Sequence, residues 1–183
     1  MRIGRVDHEG SPRAAVIDGD TVRVLGNGVE VVGMLSVDSS ERERIGVHTC
    51  PGGDRDSTHS ADIDYADFLP HLFDMNVGSF YLQLASEPDR VKVLKIIKQY
   101  LKANQTAFIG VIDVLSPTIE TNENVRDRVL EAADYIPLNQ LGTTDDCGFS
   151  PFCDDVSTTR ETAFAKIKAR VKGTKLAEEK LFS

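Results

Sequence analysis

The sequence predicts an α/β fold: four consecutive β-then-α units, half of an eight-unit (β/α)8 barrel, preceded by a small antiparallel β meander. Three observations carry this prediction. From residue 45 onward, short apolar strand-like runs alternate with longer segments whose apolar residues recur at helical spacing. Such alternation implies parallel strands joined by right-handed crossovers. The polar and unusual residues of this region collect where strands end, as they do where a barrel builds its site.

The first 35 residues differ in kind. Residues 2–6, 14–17 and 21–25 are short β-type runs, with Asp18-Gly19-Asp20 as a turn signal between the last two. Gly26-Asn27-Gly28 offers a further turn before residues 29–35, and the polar stretch 36–44 (SVDSSERER) reads as a linker. The predicted organisation is therefore a β-rich segment 1–35, a linker 36–44 and a partial β/α barrel 45–183. Residues 45–49 form a brief strand. Residues 62–75 are helix-like, with Pro70 as an expected kink. Residues 79–85 are a strand, and Glu87-Pro88-Asp89 opens a helix to about residue 103 with Val91, Leu94, Ile97 and Leu101 on one face. Residues 107–114 are a strongly apolar strand. Thr121 to Asn124 cap a helix reaching residue 135 with Val125, Val129 and Ala132 inward. Residues 141–144 are the fourth strand. Residues 157–171 are the last helix, with Phe164, Ile167 and Val171 apolar.

Composition narrows the function. The chain has 183 residues, 40% hydrophobic and 27% charged, enough for a substantial core. A formal net charge of −8 argues against a nucleic-acid or anionic-membrane partner. No apolar run approaches a membrane span and the N-terminus lacks a signal-peptide core. Three cysteines leave one unpaired in any disulfide scheme and fit a reducing, cytoplasmic setting.

Two of those cysteines lie in 141–155 (LGTTDDCGFSPFCDD), and the third in Val47-His48-Thr49-Cys50. Thiolate and neutral imidazole are complementary ligands for zinc. His48 and Cys50, two apart on a strand, face the same way, and Cys147 comes from another strand end. The residues alone leave two readings open: a zinc site, or two buried cysteines beside a hydrogen-bonded histidine. Cys153 reads as a packed small side chain, Asp154 and Asp155 as caps for the last helix, and His8, His59 and His71 as solvated or helix-face histidines. Asp54-Arg55-Asp56 reads as a loop charge cluster. Arg126 and Arg128 are expected to pair with Glu123, Asp127 or Glu131.

Three stretches in order carry a resemblance: His48-Thr49-Cys50, then residues 110–117 (GVIDVLSP), then residues 135–148 (YIPLNQLGTTDDCG). Over about 45–176 the chain resembles the C-terminal catalytic, TIM-type barrel of cobalamin-independent methionine synthase. The resemblance implies zinc held by His48, Cys50 and Cys147, activating a thiol, homocysteine or another small one, for methyl transfer. The donor it implies is methyltetrahydrofolate, with a methylated corrinoid protein as the other possibility. Gln83 stands where that family usually has a glutamate ligand, so it is the expected fourth ligand, with Glu87 or Asp146 as possible substitutes. Asp113 and Asp146 are expected beside the metal or in contact with substrate. The family's upstream barrel strands are expected to be missing, so the alternative is a non-catalytic zinc-binding relative that needs a homodimer or partner chain to complete its barrel. Separately, residues 1–25 resemble the opening of fumarylacetoacetate-hydrolase-family proteins.

Overall fold

A computed structural model describes residues 2–8, 11–18, 21–25, 31–34, 44–49, 65–150 and 156–183. The chain divides into two compact units, Met1–Glu41 and Arg42–Ser183. The first unit is an antiparallel sheet of β1 (Arg2–His8), β2 (Ser11–Asp18), β3 (Thr21–Leu25) and β4 (Val31–Met34), in sequence order. Asp18 pairs with Thr21, which closes the β2–β3 hairpin where the aspartate–glycine turn signal lies.

The second unit is the α/β fold that the alternation predicted. Its strands are β5 (Gly46–Thr49), β6 (Ser79–Leu82), β7 (Thr106–Ile112) and β8 (Leu141–Asp145), all parallel and in sequence order. The helices are α1 (Tyr65–Phe73), α2 (Arg90–Tyr100), α3 (Asn122–Ala133) and α4 (Arg160–Leu181), with a 3-10 turn at Leu138–Gln140. Pro70 lies inside α1 without ending it. Asp89 caps α2 by accepting the Lys92 N–H at 2.9 Å. Thr121 and Asn124 form a reciprocal capping box at the start of α3.

Strand alternation divides the sheet into two faces. Phe80, Leu82, Ala107, Ile109 and Val111 are fully buried and pack with Leu69 and Phe73 of α1, Val93, Leu94 and Ile97 of α2, and Val125 and Val129 of α3. Phe73 and Phe80 meet edge to face at 5.0 Å. The other face carries Gly46, Tyr81, Phe108 and Gly142. Tyr81 and Phe108 stack with ring centroids 4.7 Å apart, and the two glycines make room for them. A Cβ at Gly46 would lie 2.7 Å from the Tyr81 ring, and one at Gly142 2.3 Å from that of Phe108.

Gln105 anchors the amino ends of the strands. It is 2% exposed, accepts from the Lys102 N–H, and donates to the carbonyls of Phe73 and Met75. At the other end β7 carries a bulge: Gly110 pairs with Thr144 and Ile112 with Asp145, leaving Val111 as the extra residue. Its carbonyl accepts from Arg128 at 2.8 Å, so this arginine serves the sheet, while Arg126 pairs with Asp127 as expected.

The last helix departs from expectation. It runs to Leu181, and Phe164 and Val171 are 58% and 60% exposed. Its buried residues are Lys166, Ala169, Gly173 and Ala177. Small residues at fourfold spacing let α4 approach α3 closely: a Cβ at Gly173 would sit 2.4 Å from Val125 and 2.6 Å from the Asn122 carbonyl oxygen. Close backbone approach, not apolar bulk, selects the inward face. Gly173→Ala should therefore lower stability by about 1–3 kcal/mol despite better helix propensity. Gly148→Ala, with nothing within 4 Å of the added atom, should stay within about 0.5 kcal/mol. Thermal melts of the two variants check this.

Candidate functional site

The site candidates gather at the carboxyl ends of β5 to β8. His48 is the third residue of β5, and its Nδ1 lies 3.1 Å from the Tyr81 carbonyl oxygen. That oxygen can only accept, so Nδ1 carries the proton and the lone pair of the neutral ring sits on Nε2. This arrangement fixes the tautomer for a metal-binding imidazole. Cys147 follows β8 by two residues, is 9% exposed and takes no part in a disulfide. His48 and Cys147 line one cavity of about 440 Å³ together with Gly46, Tyr81, Thr144, Asp145 and Gly148. In a flat sheet β5 and β8 would stand about 14 Å apart. They share a cavity because the sheet curls, concave toward the Tyr81–Phe108 face.

Gln83 directly follows β6 and is 8% exposed. Its Nε2 donates to Glu87 Oε1 at 3.0 Å, while its Oε1 is buried without a hydrogen-bond partner. Cys50 lies outside the described residues, as do His59, Cys153, Asp154 and Asp155. Among the described residues no three His, Cys, Asp or Glu side chains form a metal-holding group. Imidazole and thiol are nevertheless donor types that suit zinc, and Gln83 on the neighbouring strand adds a buried carbonyl oxygen without a hydrogen-bond partner. His71 is exposed in the last turn of α1.

Asp146 lies at the junction of three strands. It is 1% exposed. Its Oδ1 accepts from the backbone N–H groups of Leu84 and Ala85, at 2.9 and 2.8 Å. Its Oδ2 accepts from the Ser86 N–H and hydroxyl, at 2.8 and 2.7 Å. Burial pushes this carboxyl above its ordinary pKa, and the bonds from residues 84–86 pull it back. Two donors on each oxygen make this carboxylate the hold on the turn after β6. The carboxylate passes over Gly110, where a Cβ would lie 1.8 Å from Oδ1.

Asp113, after β7, likewise shapes a loop. Its Oδ1 accepts from the N–H groups of Leu115 and Ser116, at 2.9 and 3.3 Å. Its own N–H donates to Glu120 Oε1 at 2.9 Å, and its carbonyl accepts from Lys166 Nζ at 3.0 Å. Lys166 is fully buried and also donates to the Thr118 carbonyl and to Glu120 Oε2. Sequence reasoning missed Lys166, Glu120, Ser86 and Tyr81. A lysine on the small-residue stripe of the last helix was the available signal for the first. Asp145 turns to the helix side, where its Oδ1 lies 3.0 Å from Arg170 Nε without hydrogen-bond geometry. Burial raises its pKa, against the pull of Arg170.

The fold and the cavity define a class: a parallel β/α sheet of barrel type with its site at the carboxyl ends of the strands. Residues 44–175 match the family described as "Cobalamin-independent synthase, Catalytic domain", and the chain belongs to that family. A methionine synthase from Sulfurisphaera tokodaii is 31% identical over 121 residues, 64% of this chain and 32% of that protein. A 2-hydroxypropyl-CoM lyase from Xanthobacter autotrophicus is 33% identical over 94 residues, 51% of this chain and 23% of that protein. The solved B12-independent methionine synthase from Shewanella sp. W3-18-1 shares the fold, with a TM-score of 0.56, 22% identity and coverage of 75% of this chain and 39% of that one. The chain thus spans about a third or less of the curated relatives named here. Residues 1–32 match a different description, "Rv2993c-like, N-terminal"; the expected likeness to fumarylacetoacetate-hydrolase proteins is not what the comparison returns.

Asp146→Ala leaves three backbone N–H groups without their acceptor, at about 1–3 kcal/mol for each that stays buried. Gly110→Ala displaces the same carboxylate. The expected outcome in denaturant melts is a large loss for each variant and strong non-additivity in the double variant, since both break one contact.

Proposed function

We propose that this chain is a methionine-synthase-type catalytic segment that uses zinc to activate a small thiol, homocysteine first among them, for methyl transfer. The observation that carries this reading is the shared cavity of His48 and Cys147, which come from the two outermost strands of the curled sheet. His48, Cys147 and Cys50 would hold the metal, with Gln83 as the oxygen donor. Zinc would supply a thiolate at neutral pH by lowering the pKa of the bound thiol. Methyltetrahydrofolate is the proposed donor, and a methylated corrinoid protein is the other candidate. The relative named as a 2-hydroxypropyl-CoM lyase keeps other small thiols within the proposed substrate class.

The chain's own residues supply orientation. Tyr81 holds His48 through its backbone carbonyl and stacks on Phe108, giving the cavity a firm wall. Asp146 holds the turn that follows Gln83, and Lys166 with Glu120 holds both backbone groups of Asp113. These aspartates are proposed as supports beside the site.

A second reading has its own observation. Among the described residues the parallel sheet has four strands, half the number in a closed eight-strand barrel, with β5 and β8 at its ends. A relative that binds zinc and completes its barrel with a second copy or another chain would fit that sheet. Mass in solution, by light scattering, separates a monomer from a closed pair.

Purified protein is expected to carry one zinc per site by elemental analysis, and His48→Ala and Cys147→Ala should each lose it. Stoichiometric zinc in both variants would sink the reading. Methylthiol formation with each donor then separates an enzyme from a binding relative.

A further inference from the structure

We propose that Glu87 is a positioning residue that turns Gln83 into a charge-assisted oxygen donor for the metal. This inference rests on the zinc reading above and extends it to a buried carbonyl oxygen at the strand ends that lacks a hydrogen-bond partner.

The hydrogen-bond pattern sets the direction of the amide. Gln83 Nε2 donates to Glu87 Oε1 at 3.0 Å. The reverse placement would set an amide oxygen against a carboxylate oxygen, so the chemistry itself assigns nitrogen and oxygen. In a planar amide the two atoms diverge, and a nitrogen held by Glu87 aims the oxygen away from it. That oxygen is buried in a side chain only 8% exposed, and it has no hydrogen-bond donor. A buried, aimed and unsatisfied carbonyl oxygen is costly unless a cation or donor meets it.

A cation at the neighbouring cavity is the partner the proposal assigns to it. Gln83 lies two residues beyond Tyr81, whose carbonyl holds the His48 ring, on the same strand end. The segment between Gln83 and Glu87 is residues 84–86, the three that Asp146 clasps. The Glu87 N–H also donates to the Leu84 carbonyl at 3.2 Å, closing a turn that brings Glu87 back to Gln83. Asp146 directly precedes Cys147 in the chain. One clasp therefore sets the thiol on one side and the amide–carboxylate pair on the other.

The electrostatics explain why a pair would serve. A neutral amide oxygen is a weaker ligand than a carboxylate. A carboxylate bonded to the amide nitrogen draws density toward the oxygen and returns the missing negative charge one hydrogen bond away from the metal. Carboxylates that orient metal ligands in this way commonly contribute about ten- to hundredfold in affinity.

The test is zinc affinity of the full chain by competition with a chromophoric chelator, with thermal melts to confirm folding. Glu87→Gln and Gln83→Ala should each weaken zinc binding by about ten- to hundredfold. Glu87→Gln in the Gln83→Ala background should cost nothing more, because Glu87 acts through the amide. With cobalt(II) in place of zinc, both variants should shift the ligand-field bands while the thiolate charge-transfer band from Cys147 persists. Wild-type affinity in Glu87→Gln and Gln83→Ala, alongside lost binding in Cys147→Ala, overturns this proposal and leaves the zinc reading standing. Wild-type protein that binds no zinc overturns both. Should Glu87→Gln fail to fold, Gln83→Ala and its cobalt spectrum still decide.

Discussion

The carboxylate of Asp146 is the constraint on which the strand-end architecture depends. It leaves the end of β8, crosses the bare Cα of Gly110 in β7, and takes four donors from the turn after β6. Three strands are thereby tied together, and the Asp146 N–H adds a backbone bond to the Ile112 carbonyl at 3.0 Å. Burial opposes the charge on this group, and the surrounding N–H groups support it. A buried carboxylate is tolerable here because both of its oxygens are fully used. Cys147 directly follows Asp146 in the chain, and Gln83 directly precedes the residues 84–86 that it clasps.

A second buried polar node serves the loop after β7 by the same logic. Lys166 is wholly buried, yet its ammonium has three acceptors: two carbonyls and Glu120, which is itself 7% exposed. Glu120 in turn accepts from the Asp113 N–H. A lysine without these partners would be expelled from such a position; with them it links α4 to the 113–120 loop. The two nodes together hold the loops after β6, β7 and β8. His48 on β5 is held differently, through the backbone of its neighbour strand.

The concave face explains how one cavity can collect residues from the first and last strands. Two large rings, Tyr81 and Phe108, occupy the central strands, while Gly142 faces Phe108 on one outer strand and Gly46 lies close to the Tyr81 ring on the other. His48 stands on this same face, across the ladder from Tyr81. The same curl leaves β5 and β8 as edges, which in natural sheets are covered, paired or shielded. The kinship to a catalytic domain whose curated relatives the chain matches over only part of their length fits such an open sheet.

Much of this was legible in the sequence. Alternation of apolar period located the four strands and the first three helices of the parallel unit to within a few residues, because burial of one face is a local demand, whereas the last helix runs on to Leu181, well past its expected end. Thr121, Asp89 and the Asp18-Gly19 turn signal announced themselves, since caps and turns are satisfied within a few residues. His48, Gln83, Asp113, Asp146 and Cys147 were legible as polar residues at strand ends. What the sequence could not determine was which of them face the cavity and which hold loops. Asp146 and Asp113 look equally available in a string of letters; only the fold brings the N–H groups of residues 84–86 and the Lys166–Glu120 pair against them. The inward face of α4 was hidden for the same reason. Its apolar residues pointed one way, and the close crossing with α3, decided by Gly173 and Ala177, turned the other way inward. Local periodicity belongs to the sequence, whereas the partner of a buried polar group is a long-range fact that only the tertiary structure supplies.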